Sequence, residues 1–457
     1  MSNNEIPAAT PAVHAATANA DSVTTVNPLP APMHGSITVP GDKSISHRSV
    51  LFSAMAEGTS RVSGVLDSAD VRSSVAAVQA LGAQVNLEKQ ADGSLAGGIT
   101  GWGAAGPKQP DGPIDCGNSG TTVRLLMGIL APWNIRVELT GDDSLKKRPM
   151  RRITAPLMKM GAHFEPEGQE HLPITVCGGN LHPITYDAPM ASAQLKTAVI
   201  LAGIFAEGTT TLNEPAISRN HTELMLPEYG VETMAGERVA AVTGPQQPKA
   251  CEVLVPGDPS SAAFLVCAAV IRPGSTIQVE HVSLNPARIG FTRTLERMGA
   301  DISIVGEGAA GKEPYGMIQA CYTSELHGCE VPAEKIASIV DEIPVLALVA
   351  AHAHGVTVFR EVGELRVKET DRLAAVIDGL SKLGVDAWAE GDDLYIEGKP
   401  DLEVPDDLEF DSLGDHRLAM TWSLVGLTGK KPVRIKNFEA VAVSYPGFLS
   451  DIERLAQ

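Results

Sequence analysis

The chain has 457 residues, 44% hydrophobic and 20% charged, a balance that excludes a wholly disordered protein and at this length points to two hydrophobic cores. Its formal net charge of -19 excludes nucleic acid and anionic membrane as main partners, because both reward a basic surface. A small anionic substrate, met by a local cluster of the 36 Lys and Arg, stays open.

In chain order, residues 1–32 are rich in Ala, Thr, Asn and Pro, and no Lys or Arg precedes Lys43. They match neither a secretory signal nor an Arg-rich transit peptide, and a disordered tail is expected. A strand at 36–39 then runs into VPGD, after which one module recurs: an Ala- and Leu-rich helix, a Gly or Pro break, and an alternating β-rich segment. It reads SVLFSAMAEGTSRVSG from Ser49, VRLLMGILAPWNIRVELTG from Val123 and TAVILAGIFAEGTTTLNE from Thr197. It returns as AAFLVCAAVIRPGSTIQVEHV from Ala262, PVLALVAAHAHGVTVFREV from Pro344 and AMTWSLVGLTGKKPVRIKNF from Ala419. The starts lie 74, 74, 65, 82 and 75 residues apart, a regularity that marks a sixfold repeat.

Between modules lies a second helix with a polar face, followed by Gly and a strand, from Val71, Met150, Phe291 and Asp371. The first helix of each unit is apolar all round and should be buried, whereas the second is amphipathic and should lie outside. An α/β architecture of helix and strand pairs around an internal core follows. VPGD occurs again at 255–258, so the six units should group as two domains, 41–255 and 33–40 plus 256–457, with the strand at 36–39 pairing into the C-terminal half.

Candidate chemistry sits at helix starts. In GSITVPGDKSISHRS a helix should begin at Ser44 or Ser46, gathering free N–H groups, hydroxyls, Lys43 and Arg48 into a phosphate or carboxylate site. DCGNSGTTVRLL places Asn118 and Ser119 between Gly117 and Gly120 just before the second apolar helix. SLKKRPMRR concentrates Lys146, Lys147, Arg148, Arg151 and Arg152; most should be surface charge, and Arg148, before Pro149, is the candidate for bidentate anion capture. MASAQLKTAV offers Ser192, Gln194 and Lys196, with Arg219 following in ISRNHTE. The second half supplies Asp341 and Glu342 in VDEIP, then Arg366, Lys368, Glu369, Asp371 and Arg372 in RVKETDR, then Asp415, His416 and Arg417 in GDHR. Anion-binding groups thus occur in both halves and acid or base candidates in the second, so the site should lie in a cleft between them, with closure expelling water.

Six cysteines (Cys116, Cys177, Cys251, Cys267, Cys321 and Cys329) without CxxC spacing form neither a disulfide framework nor a zinc site, which fits a reducing, cytoplasmic setting. His352, His354 and His416 have no carboxylate at convincing ligand spacing, so neither metal nor cofactor is expected. No apolar run is long enough to cross a bilayer.

The segments PGDKSISHR, GNSGTTVR, KKRPM, SAQLK, RVKETDRL and DHRLAM, in this order and spacing, resemble the 5-enolpyruvylshikimate-3-phosphate synthase family from about Gly35 to the end. The resemblance implies a two-domain inverse α/β barrel-like fold of six βαβαββ units, three per domain. It also implies a monomer that moves the enolpyruvyl group of phosphoenolpyruvate to the 5-hydroxyl of shikimate 3-phosphate. By the same resemblance Lys43, Ser44, Arg48, Ser192, Ala193, Gln194 and Arg219, with Asp341 and Lys368, would hold shikimate 3-phosphate. Lys43, Gly120, Arg148, Gln194, Arg372 and Arg417 would hold phosphoenolpyruvate, with Asn118 and Thr121 shaping that loop. Asp341 resembles the base on the attacking hydroxyl, assisted by Lys368, and Glu369 the acid that protonates the methylene carbon and later takes a proton back. For that role Glu369 should be desolvated or near another acid so as to hold its proton.

Two alternatives stand beside this reading. One is the related transferase acting on UDP-N-acetylglucosamine, whose acidic loop cysteine has only Cys116 as a counterpart here, a position suited to packing. The other is a phosphometabolite-binding protein without catalysis, which would need neither Asp341 nor Glu369. Ala193, RNHTE and the lack of a lysine near Val443 resemble the second, often glyphosate-tolerant class, whereas Gly120 is the small residue associated with sensitivity; moderate tolerance is expected.

Overall fold

The computed structural model describes residues 22–457, and all six apolar segments are helices in it. They are α1 (Lys43–Met55), α2 (Gly120–Leu130), α3 (Ala193–Gly203), α4 (Pro259–Ile271), α5 (Ile343–Ala351) and α6 (His416–Thr428). α4 buries every one of its residues, as a helix without a polar face must. Five of the six carry a side-chain cap: Asp42, Ser119, Ser192, Asp258 and Asp415. The first of these corrects the expected helix start, since neither Ser44 nor Ser46 caps α1. The VPGD carboxylate of Asp42 does so, accepting from the Ile45 N–H at 2.8 Å.

In four of the six units the inner helix connects two parallel strands, and a later antiparallel pair completes most sheets, giving five four-stranded sheets and one of three strands among the described residues. In the second unit, for example, Ile114–Asp115 lies parallel to Arg136–Thr140, which pairs antiparallel with Ile174–Cys177. The first and fourth units exchange opening strands. Glu252–Leu254 pairs parallel with Thr59–Val65, and the N-terminal His34–Thr38 pairs parallel with Thr276–Ser283. The two VPGD turns therefore pass side by side, bonded reciprocally from Asp42 N–H to the Pro256 carbonyl and from Asp258 N–H to the Pro40 carbonyl, each at 2.8 Å.

The tail expected to reach residue 32 ends earlier. Val23–Val26 pairs antiparallel with Val433–Lys436, in the place the C-terminal hairpin fills in other units, and Val26 and Leu29 are buried. The sixth unit has no such hairpin, so an open strand edge is available to this VTTV segment. The rest of that expectation, residues 1–21, falls outside the described residues. The amphipathic helices Ala69–Ala80, Arg151–Lys159, Gly290–Arg297 and Arg372–Lys382 each bury one face. Buried apolar side chains form two clusters, one drawn from residues 45–255 and the other from 26–39 together with 262–456.

Candidate active site

All six inner helices begin at one place. Lys43 and Ser44 open α1, Gly120 and Thr121 α2, Ser192 and Ala193 flank the start of α3, and Asp258, Asp341 and His416 mark the starts of α4, α5 and α6; together they line a cavity of about 230 Å³ between the two cores. Helix starts present unpaired N–H groups and the positive end of the macrodipole, so six at one cavity make an anion site before any side chain is counted. The side chains add to it: ten Lys and Arg against five Asp and Glu line the cavity of a chain whose net charge is -19.

On the N-terminal side, Arg48 is held by Thr222 Oγ1 and Thr197 Oγ1, both at 2.9 Å, and by the Ser44 carbonyl at 3.0 Å. Lys43 Nζ rests on Asp70 at 2.6 Å. Gln194 joins two helix starts, donating to Thr121 Oγ1 at 3.1 Å while its carbonyl accepts from Arg124 at 2.8 Å and Arg152 at 3.3 Å. Arg148 donates to Asn118 Oδ1 at 2.8 Å, and Asn118 in turn donates to Asp142 at 2.7 Å.

On the C-terminal side, Arg372 is the hub. Its Nε bonds Asp415 at 2.7 Å, Nη1 bonds Asp341 at 3.2 Å and Nη2 bonds Glu369 at 2.6 Å. Arg417 Nη1 lies 3.9 Å from Glu342, and Lys368 Nζ lies 3.8 Å from Asp341 and 2.6 Å from Glu364. Two ion pairs cross the cleft, Arg219 to Asp341 at 2.5 Å and Arg148 to Glu369 at 3.5 Å. Burial works to raise both acids. For Asp341 it is overcome by Arg219, Lys368, Arg417 and Arg372, and for Glu369 by Arg372 and Arg148, so both lie well below the usual carboxylate range. That differs from the expectation that Glu369 holds a proton: its ion pairs with Arg372 and Arg148 favour the anion.

Of the sixteen residues to which the family resemblance gives a role, fifteen line this cavity: Lys43, Ser44, Arg48, Gly120, Thr121, Arg148, Ser192, Ala193, Gln194, Arg219, Asp341, Lys368, Glu369, Arg372 and Arg417; Glu342, Arg366, Asp371 and Asp415, offered by the same motifs, do not. Asn118 does not; it stands behind Arg148. Lys196, offered by the same loop as Gln194, is also away from the cavity wall, buried between Glu214 and Glu223 at 2.8 Å each. Arg152, expected as surface charge, turns into the cavity, as do His416 of the GDHR motif and Arg124 and Arg288, which no motif singled out. For Arg124 a signal existed, because a charged residue inside an otherwise apolar helix needs a polar partner. Its guanidinium is pulled down to about 9, first by burial and then by Arg152 and Arg148, a crowding of cations that an arriving anion relieves. Cys116 is fully buried and its thiol is pushed up to about 12 by burial, so it packs rather than acting as an acid.

The fold is shared with the solved enolpyruvyl transferase NikO from Streptomyces tendae, matched at TM-score 0.76 and 17% identity over 95% of this chain and 98% of that one. The EPSP synthase (3-phosphoshikimate 1-carboxyvinyltransferase) family profile matches residues 29–452, and the chain belongs to that family. A solved EPSP synthase from Acinetobacter baumannii is 38% identical at TM-score 0.84, covering 95% of this chain and 98% of its own. Relatives named 3-phosphoshikimate 1-carboxyvinyltransferase include those of Brevibacillus brevis, 42% identical over 93% of this chain and 97% of theirs, and Bacillus pumilus, 44% identical over 93% and 98%.

Proposed function

We propose that this chain performs its family's reaction in the cleft, transferring the enolpyruvyl group of phosphoenolpyruvate to the 5-hydroxyl of shikimate 3-phosphate and releasing phosphate. The observation that carries the reading is the meeting of six helix starts and ten cationic side chains around Asp341 and Glu369. Two polyanions need that much positive charge to lie side by side, since each charge-assisted contact contributes about 1.5 to 3 kcal/mol.

Lys43, Ser44, Arg48, Ser192, Ala193, Gln194 and Arg219 hold shikimate 3-phosphate against the N-terminal half, with Asp341 and Lys368 reaching it from the other side. Arg148, Arg372, Arg417, Lys43, Gln194 and the Gly120 loop hold phosphoenolpyruvate, with Asn118 orienting Arg148. Phosphoenolpyruvate then takes over guanidiniums now bound to Glu369 and brings its own negative charge close, and both changes raise the Glu369 carboxyl toward the range of a working acid. Glu369 protonates the methylene carbon and leaves a cation at C2. The 5-oxygen attacks C2 as Asp341 takes its proton, forming the tetrahedral adduct. Glu369 then removes a proton from the new methyl group as the bond to the phosphate oxygen breaks, restoring the double bond.

The bodies that close over the substrates are 41–255 and 33–40 plus 256–457. The protein works as a cytoplasmic monomer needing neither metal nor cofactor. It belongs to the second, often glyphosate-tolerant class, with tolerance held to a moderate level by Gly120. A Cβ at Gly120 would lie 2.9 Å from Arg124 Nη1 and 3.4 Å from Arg148 Nη1, so Gly120→Ala displaces guanidiniums of the phosphoenolpyruvate corner. A glyphosate inhibition curve for Gly120→Ala that matches the parent would remove the basis for expecting tolerance to be only moderate.

The deciding experiment is phosphate release from phosphoenolpyruvate, run with shikimate 3-phosphate and in parallel with UDP-N-acetylglucosamine. Release with the first alone supports the proposal, and release with the second overturns it. Turnover that survives in an Asp341→Ala, Glu369→Gln double variant would show that the chemistry lies with other residues.

A further inference from the structure

The duplicated VPGD turn has a partner that neither half supplies twice. Asp42 and Asp258, the pseudo-equivalent carboxylates that cap α1 and α4, converge on the single guanidinium of Arg288, which donates from Nη1 to Asp42 at 2.5 Å and from Nη2 to Asp258 at 2.8 Å. All three side chains are at most 3% exposed. The same Nη2 reaches Ser260 Oγ at 3.1 Å, Ser260 donates to Glu342, and Glu342 adjoins Asp341 in the chain. On the other side Asp258 Oδ2 accepts from the backbone N–H of Lys43 at 3.4 Å. One planar fork therefore spans the place where the chain passes between the halves, tied on one side to the start of α1 with Lys43 and on the other to the turn that carries Asp341.

We propose that Arg288 is a positioning residue for the transfer reaction, setting the register in which the two halves meet across the cleft. This rests on the reading of the cleft given above. A lysine in this place keeps the charge but offers a single point donor, which cannot hold two carboxylates in a fixed plane. The groups assigned to shikimate 3-phosphate lie mostly on the N-terminal half, so binding of that substrate alone survives the loss of register. Phosphoenolpyruvate is gripped from both halves, by Arg148 on one and by Arg372 and Arg417 on the other, so it bears the loss. A misplacement on the order of 1 Å remote from the chemistry lowers a rate by about 100-fold.

The test compares the parent protein with Arg288→Lys and with the triple variant Arg288→Met, Asp42→Asn, Asp258→Asn, which keeps capping side chains and leaves no buried charge unpaired. The expected result for Arg288→Lys is a KM for phosphoenolpyruvate raised at least tenfold and a lowered kcat, with the dissociation constant of shikimate 3-phosphate changed less than about threefold. The triple variant is expected to melt within a few degrees of the parent and to keep the same kinetic defect. Parent-like kinetics in Arg288→Lys overturns the proposal, as does a loss confined to kcat in proportion to the folded fraction. A triple variant that regains both stability and turnover also overturns it, because Arg288 would then only balance charge. Parent protein that releases no phosphate defeats the functional reading itself, and this proposal with it.

Discussion

Glu369→Gln separates binding from catalysis at a residue that ion pairs with Arg372 and Arg148 hold as an anion. Glutamine keeps the shape and one acceptor oxygen but can neither protonate the methylene carbon nor take a proton back. Loss of a positioned general acid costs about 10²- to 10⁴-fold in rate, or roughly 3 to 5.5 kcal/mol of transition-state stabilisation. The ground state moves the other way. Glu369 competes for Arg372 at 2.6 Å and Arg148 at 3.5 Å, and phosphoenolpyruvate must displace it from both. Taking each of the two ion pairs, screened by solvent in this part-open cleft, as about 0.5 kcal/mol, removal of the competing charge lowers the KM for phosphoenolpyruvate by up to about fivefold. Initial rates of phosphate release against phosphoenolpyruvate, at saturating shikimate 3-phosphate, give both numbers. A variant that keeps kcat within tenfold of the parent while its KM rises would show that Glu369 binds substrate, and the acid would have to be sought elsewhere.

Asn118→Ala, which removes the 2.8 Å acceptor on Arg148 without touching the cavity wall, is expected to raise the KM for phosphoenolpyruvate severalfold and leave that for shikimate 3-phosphate unchanged, as read from the same assay. Gly128→Ala would bring a methyl carbon to 2.3 Å from the Ala198 carbonyl where α2 crosses α3, and should destabilise by about 1 to 3 kcal/mol in urea titrations. His47, buried and bonded to Ser74 at 2.8 Å, is lowered to about 3, chiefly by burial. Its folded pKa lies below its unfolded value, so the unfolded chain binds the proton first. The His47 contribution is intact above about pH 6.5 and is lost as pH falls toward 3, by up to about 1.4 kcal/mol per pH unit. The acid limb of a stability curve should therefore be shallower in His47→Gln than in the parent.

The sequence made the repeat legible because burial imposed it. A helix enclosed on all sides admits only apolar residues, and α4 from Pro259 to Ile271 is the extreme case. The exchange of opening strands was also readable, through the two VPGD turns. What stayed hidden depended on neighbours distant in the chain. Val23–Val26 is weakly apolar and became a strand because the sixth unit leaves an edge open beside Val433–Lys436. Arg152 and Arg151 are adjacent in a basic run, yet helix geometry sends one to the cavity and the other to Glu170 at the surface. Asn118 looked like a ligand from its glycine-flanked loop, but only coordinates could put Arg148 between it and the cavity.

The protonation state of Glu369 was misjudged for a physical reason that bears on how the cleft works. A sequence lists which charges are present, whereas a pKa depends on which of them touch, and Glu369 touches Arg372 and Arg148. Asp341 is likewise held by Arg219 across the gap and by Arg372 behind it. The two residues proposed for proton transfer thus serve as counterions for the cations of the cleft. Ten cations around one small cavity would repel one another without such partners. On the proposed function, substrate anions would replace the carboxylates on those cations and leave them beside new negative charge, which raises their proton affinity. Filling the site and preparing its acid would then be one event, and the proposed function expects protonation of Glu369 to depend on the presence of phosphoenolpyruvate.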